Sequence, residues 1–423
     1  MRVKPALLGA LSFGASVSVL AVACQSYDFE KVEPVFLAQT TVEVTLHARD
    51  SKPNIMLLVD TSGSMTLPVD ESDPDCRVPY NGEQVICGNS DEVPCNTAVC
   101  PTRWTELQAA VPGFLASAGP HVRLGLTTYP DTNGERGLDA FCRPSSSRTV
   151  QKDLPEAEDD ASLLEHANKI NNIIQAIPNS GAGRPVGGTP TSLSLRFVKD
   201  LPGFQDKDRK QFVVLLTDGV PNCNPDNVYQ GSDAECRCTT ESGCGPTQTG
   251  RRGCLDKDAS VSAVRELRAA GIRTIVIGFG AETATGDGPA VLEAMAQYGD
   301  FPRTCKDGQT SCGPGDACDP VTNLCQRSYY QAANKEELAQ ALEDISKDVL
   351  GDEPCLIKLE PSELPSDPSL IVVYVDGERT AAGEGTWTLG EDGVRFNGAM
   401  CERILASTPD APVDIEVRAI RQR

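Results

Sequence analysis

Short apolar runs punctuate an otherwise polar chain, and two of them stop abruptly at an acid. Asn54-Ile-Met-Leu-Leu-Val-Asp60, Gln211-Phe-Val-Val-Leu-Leu-Thr-Asp218 and Ile272 to Phe279 are too short to span a membrane and lack a polar face, which predicts strands buried on both sides. His121 to Thr128 reads as a fourth strand, with shorter ones at 148–151 and 328–331. Between the strands, apolar residues recur at spacings of three and four: Leu163, Ala167, Ile170, Ile174 and Ile177 before Pro178; Val261, Val264 and Leu267 before Gly271; Leu338, Leu342, Ile345 and Val349 before Gly351. These are helices with one buried stripe, and Asn334 with Glu337 stands at capping-box spacing before the last. Residues 104–118, 192–201 and 289–298 complete the helical set. Strands alternating with helices predict an α/β fold with a doubly wound, mostly parallel sheet and helices on both faces.

The flanks differ. Residues 41–50 begin with Thr41-Val-Glu-Val-Thr-Leu-His-Ala48, which alternates in period two and predicts a strand with one wet face. Residues 352–423 carry only short β segments, at 355–359, 370–375, 394–396 and 413–420, with a turn at Asp376-Gly377. They form a small antiparallel module, which the strand at 41–50 can join, so that the α/β domain over 52–350 is inserted between β pieces.

Composition adds the compartment. Sixty acidic and 38 basic side chains leave a formal charge of −22 spread along 423 residues, the opposite of a nucleic-acid binder. Arg2 and Lys4 precede an apolar stretch to Ala23, and Ala21-Val22-Ala23-Cys24 has the small residues of a bacterial lipobox. Residues 1–23 therefore read as a lipoprotein signal peptide, Cys24 as the lipid attachment site and 24–40 as a tether; Gln25 agrees with outer-membrane sorting. Seventeen Cys is an odd number, and setting Cys24 aside leaves 16. They crowd into three insertions: Cys76, Cys87, Cys95 and Cys100 within 66–103; Cys236, Cys238, Cys244 and Cys254 within 220–255; Cys305, Cys312, Cys318 and Cys325 within 302–327. Cys142 with Cys223, and Cys355 with Cys401, remain as pairs. Eight disulfides in an oxidising compartment are expected; no C-x-x-C pair exists and the three His are scattered, which argues against zinc.

The candidate chemistry sits where strands end. Asp60-x-Ser62-x-Ser64 follows one buried strand, Asp218-Gly219 follows another, and Gly187-Gly188-Thr189 opens a helix. Open α/β sheets bind ligands at the carboxyl ends of their strands. Two carboxylates balance a divalent cation, and the hydroxyls of Ser62, Ser64 and Thr189 add neutral oxygens, a set suited to a hard divalent cation. Together the three elements resemble the loops of the metal-ion-dependent adhesion site in von Willebrand factor type A domains, the fold shared by integrin inserted domains, over about residues 52–350. The resemblance implies that the cation is Mg²⁺, with Ca²⁺ or Mn²⁺ as alternatives, and that a carboxylate from another molecule fills its open position. It also leads us to expect that Asp60→Ala and Asp218→Ala each abolish cation-dependent binding and leave the fold intact. The insertions after Ser64 and Asp218 leave from the same sheet edge and are expected to wall the site, and the third to lie at the opposite end. No G-x-S-x-G, H-E-x-x-H or phosphate-binding glycine loop is present, and His47, His121 and His166 fall on separate elements, so no enzyme is expected.

The order of lipobox, tether, cation-site domain and β tail resembles the contact-gliding lipoproteins of myxobacteria. This implies an outer-membrane adhesin at the cell surface, serving gliding motility, with a substratum or protein ligand outside and envelope or motility-machinery proteins as partners. The alternative is an envelope assembly or scaffold protein whose metal site holds another envelope protein.

Overall fold

The computed structural model describes residues 41–48, 52–135, 137–204, 209–240, 243–305, 309–350, 355–359, 370–390, 393–405 and 413–420. The predicted signal peptide, Cys24, the tether and Gly351 lie outside these residues.

Six strands form the central sheet: β2 (Asn54–Asp60), β3 (Arg123–Tyr129), β4 (Val150–Lys152), β5 (Gln211–Thr217), β6 (Ile272–Phe279) and β7 (Tyr330–Ala332), in the order β7-β6-β5-β2-β3-β4. All neighbours are parallel except β4, which runs antiparallel to β3 at one edge. Alternate side chains of β2 enter opposite cores, as the strand's pleat requires. Ile55, Leu57 and Val59 pack under α1 (Arg103–Ala118), α2 (Asp160–Ala176) and α6 (Lys335–Leu350). Met56 and Leu58 pack under α3 (Thr191–Lys199), α4 (Lys257–Ala269) and α5 (Gly288–Tyr298). With three helices on each face, this is the doubly wound, mostly parallel architecture expected of a von Willebrand factor A-like domain. Burying each such aliphatic side chain stabilises the fold by about 1.5–3 kcal/mol.

Local departures from the sequence reading have local causes. The third strand starts at Arg123 because Gly119–His121 first closes a 3₁₀ turn. Helix α1 runs through Pro112, although proline cannot donate to the carbonyl of Gln108 four residues back. Gln175 Nε2 on α2 donates to that carbonyl instead (2.6 Å). At α6, Asn334 Oδ1 accepts from the Glu337 amide (2.9 Å), but the Glu337 carboxylate reaches the amide of Ala333 (2.8 Å), one residue earlier than a capping box would have it.

The β pieces at the two ends of the described chain meet. Strand β1 (Thr41–Ala48) pairs antiparallel along its whole length with the last strand, Thr41 opposite Ile420 and Ala48 opposite Val413. That strand, Val413–Ile420, also pairs with Ile371–Val375, which turns through Asp376 (φ 51°) and Gly377 (φ 78°) into Glu378–Thr380. A positive φ at both turn residues is what a two-residue hairpin needs. A second sheet of Leu356–Lys358, Gly393–Phe396 and Trp387–Gly390 faces a shared core that includes Val373, Trp387, Val394, Phe396 and Val417. Cys401, on the helix Gly398–Leu405, is bonded there to Cys355.

Among the described residues sixteen cysteines form eight disulfides. Each insertion closes on itself, through Cys76–Cys100 with Cys87–Cys95, Cys236–Cys254 with Cys238–Cys244, and Cys305–Cys318 with Cys312–Cys325. Cys142–Cys223 joins two loops. The third insertion does not stand off at the far end of the sheet, as topology alone led us to expect. It folds back along α5, where Asp316 and Arg327 share a cavity of about 440 Å³ with Ala284, Pro289 and Ala290. The reason is register: the chain must re-enter the sheet with Tyr330 beside Ile277, well along β6. Buried Arg303 holds the fold-back by donating to Asp316 Oδ2 (2.6 Å) and to the Tyr329 carbonyl (2.9 Å). Among the described residues no helix is long and apolar enough to cross a membrane.

Candidate metal centre

Strands β2 and β5 run side by side in register, Val59 opposite Leu216, so Asp60 and Asp218 emerge together at the carboxyl edge. Both are fully buried. Asp60 accepts from the Ser62 amide on one oxygen (2.8 Å) and from Thr217 Oγ1 on the other (2.8 Å). The turn Gly63–Thr66 brings the two serine hydroxyls within 3.0 Å of each other, and Ser64 Oγ donates to Asp218 Oδ1 (3.0 Å). Asp60, Ser62, Ser64 and Asp218 thus form one connected set.

Thr189 belongs to a loop locked onto that set through the backbone. Gly63 N–H donates to Gly187 O (2.9 Å) and Val186 N–H to Thr61 O (2.9 Å), while the Thr189 amide donates to Asn222 Oδ1 (2.8 Å). The loop has no spare room. A Cβ on Gly188 would lie 2.5 Å from Cys223 Sγ and 2.7 Å from the Phe141 ring. Gly188→Ala is therefore expected to cost about 1–3 kcal/mol of stability through overpacking. It should also displace Thr189, and a thermal melt with and without Mg²⁺ reads both effects.

The electrostatics of the two acids differ. Burial, reinforced by the charge of Asp218, pushes the Asp60 carboxyl up to about 7. Asp218 instead has a cationic partner that sequence reasoning missed. Fully buried Arg103, at the start of α1, donates from Nη1 to Asp218 Oδ2 (2.8 Å) and from Nη2 to Glu71 Oε1 (2.6 Å), with Glu282 Oε1 at 3.4 Å. Burial works against the guanidinium's charge, but Asp218, Glu282 and Glu71 outweigh it and keep it cationic. No spacing in the sequence marks an arginine for burial, and Glu71 reaches the site from inside a Cys-rich loop. Thr217 precedes Asp218 in the motif, and its hydroxyl takes the added role of holding Asp60.

The residues fit a hard divalent cation. Asp60 and Asp218 offer carboxylate oxygens, Ser62 and Ser64 offer hydroxyls at alternate positions, and Thr189 stands on the loop fastened beside them. Three acids, Asp218, Glu71 and Glu282, converge on Arg103, and Asp60 lies close enough to Asp218 to feel its charge, so the site carries an excess of negative charge that a cation relieves. The histidines stand elsewhere, His47 in β1, His121 after α1 and His166 within α2.

The sequence matches no protein-family model and no curated protein. Among solved structures the chain is similar to the pilus adhesin SpaC of Lactobacillus rhamnosus GG, with a TM-score of 0.39, 15% identity and coverage of 88% of this chain and 40% of that one. It is also similar to the PilB minor pilin of Streptococcus sanguinis, with a TM-score of 0.39, 18% identity and coverage of 71% and 62%. This chain thus spans less than two thirds of the length of either. The manganese-loaded Plasmodium vivax TRAP protein gives a TM-score of 0.32 at 14% identity, covering 72% of this chain and 75% of that one.

Proposed function

We propose that the protein is a non-enzymatic adhesin at the cell surface that grips a carboxylate-bearing ligand or substratum through a divalent cation, Mg²⁺ by preference. The observation that supports this best is the pair of fully buried carboxylates, Asp60 and Asp218, brought to one sheet edge and linked through the Ser62 and Ser64 hydroxyls. Asp60, Ser62, Ser64, Thr189 and Asp218 would hold the cation, by direct bonds or through water. Once bound, it supplies a Lewis-acidic position for an oxygen of the ligand. The chain's own part is to exclude water from the two acids and to hold the hydroxyls in place, which lowers the reorganisation needed on binding.

Eight disulfides support an exported protein. In this reading Cys24 carries a lipid that anchors the chain to the outer membrane, and the adhesin serves gliding motility by linking envelope machinery to the substratum.

The test is cation linkage. With Mg²⁺ at 100 times its dissociation constant, stability is expected to rise by about 2.7 kcal/mol. The rise should vanish in Asp60→Asn and be reversed by EDTA, as read from melting temperatures. Capture of the protein on a surface should be lost with EDTA as well. A melt indifferent to Mg²⁺, Ca²⁺ and Mn²⁺ alike overturns the reading, and Mg²⁺-dependent capture of one periplasmic protein in place of a surface favours envelope assembly.

A further inference from the structure

We infer that Arg103 is a built-in counter-cation that withholds one carboxylate charge from the bound metal, so that the cation is held weakly by the protein alone and needs the ligand's carboxylate to complete its neutralisation. The inference rests on the cation-site reading above and deepens it by naming the residue that sets the affinity.

The geometry is specific. Arg103 is fully buried, and its Nη1 lies 2.8 Å from Asp218 Oδ2, while the other oxygen of the same carboxylate accepts from Ser64. Asp218 therefore turns one oxygen toward the candidate metal residues and the other toward a fixed positive charge. Room for the guanidinium is made by Gly280, at the end of β6: a Cβ there would come within 3.1 Å of Arg103 Nε and 3.3 Å of its Cδ. Gly280 also holds φ at +86°, where other residues are strained. The approach is thus built into the sheet edge and does not depend on a mobile surface side chain.

The charge count follows. Asp60 and Asp218 would neutralise a divalent cation by themselves, but Arg103 cancels about one of those charges at contact distance in a buried setting. The remaining acids around the guanidinium compensate less, because the side chains of Glu71 and Glu282 are 34% and 45% exposed and screened by water and salt. A cation in this site keeps close to one unit of positive charge for an incoming carboxylate. Glu71, in the first Cys-rich insertion, competes with Asp218 for the same guanidinium, so that insertion is wired to the metal's affinity.

Mn²⁺ binding to the mature chain, followed by electron paramagnetic resonance of the free ion, tests this without any adhesion readout. Arg103→Gln keeps a hydrogen-bond donor but removes the charge, and is expected to bind Mn²⁺ about tenfold more tightly or better. Arg103→Lys retains the charge and should stay near wild type. A merely structural arginine predicts the reverse, with affinity unchanged or lower in Arg103→Gln, and that result overturns the inference. Glu71→Gln, on a partly exposed side chain, leaves the guanidinium to Asp218 and should weaken Mn²⁺ binding by about threefold; an unchanged affinity there overturns the inference even if Arg103→Gln does not fold. Failure of wild type itself to take up Mn²⁺ would instead remove the cation-site reading beneath it.

Discussion

Asp218→Ala is expected to destabilise the metal-free protein by about 3–5 kcal/mol, as measured by urea denaturation in EDTA, because it strips a buried arginine of its buried partner. Arg103 and Asp218 are both without solvent exposure, and Arg103 Nε already lacks a hydrogen-bond partner. Glu71 stays 2.6 Å from Nη2, but Nη1 loses its buried carboxylate and keeps only the partly exposed Glu282 at 3.4 Å. Asp60→Asn should behave differently. Asp60 is held by Ser62 and by the Thr217 hydroxyl, with no cation beside it among these contacts, and an amide can accept from the Ser62 N–H while the hydroxyls rotate. Its stability in EDTA should stay within about 1 kcal/mol of wild type or rise, since a buried charge without a cationic partner is removed. The two acids are therefore expected to differ in what they contribute to the fold, Asp218 more than Asp60. A loss below about 1 kcal/mol in Asp218→Ala would show that the ion pair contributes little to the fold.

The contrast between these two acids marks how far the sequence could be read. Buried strands betray themselves by uninterrupted apolar runs, and an acid that ends such a run stands out; Asp60, with Ser62 and Ser64 after it, and Asp218 were legible for that reason. The helices were legible from their stripes, and the Gln108 carbonyl that Pro112 leaves without its helical donor is satisfied by Gln175, a side chain from another helix that no local pattern encodes. Arg103 was illegible for a related reason. It follows a polar, Cys-rich loop where a charged residue is normally solvated, and its burial depends on three acids arriving from three separate loops and on the bare backbone of Gly280. Disulfide partners within each insertion could not be chosen from spacing, since four cysteines allow three connectivities. Cys142–Cys223 and Cys355–Cys401 could be read from topology, because the first two cysteines follow strands that end at one sheet edge and the other two fall within the C-terminal β module.

Removing the Cys142–Cys223 disulfide, as a double alanine variant, is expected to lower stability by about 4 kcal/mol. The bridge spans 81 residues, and the entropy of closing so long a loop in the unfolded chain sets that scale. The bond also does local work that the two bridges within an insertion do not. Phe141, beside Cys142, accepts the Gly188 amide through its carbonyl (2.8 Å), and Cys223 Sγ fills the space over Gly188. Asn222, beside Cys223, accepts the Thr189 amide and returns its own amide to the Thr189 carbonyl (3.0 Å). The bridge therefore clamps the Thr189 loop between the loops that follow β3 and β5, and its loss should weaken Mg²⁺ binding as well as stability. Opening Cys238–Cys244, which closes only six residues in the second insertion, provides the comparison: a smaller stability loss and an unchanged Mg²⁺ dissociation constant. Equal effects of the two variants on Mg²⁺ binding would place the Thr189 loop's rigidity elsewhere, in the Gly63 and Val186 backbone bonds that tie it to β2.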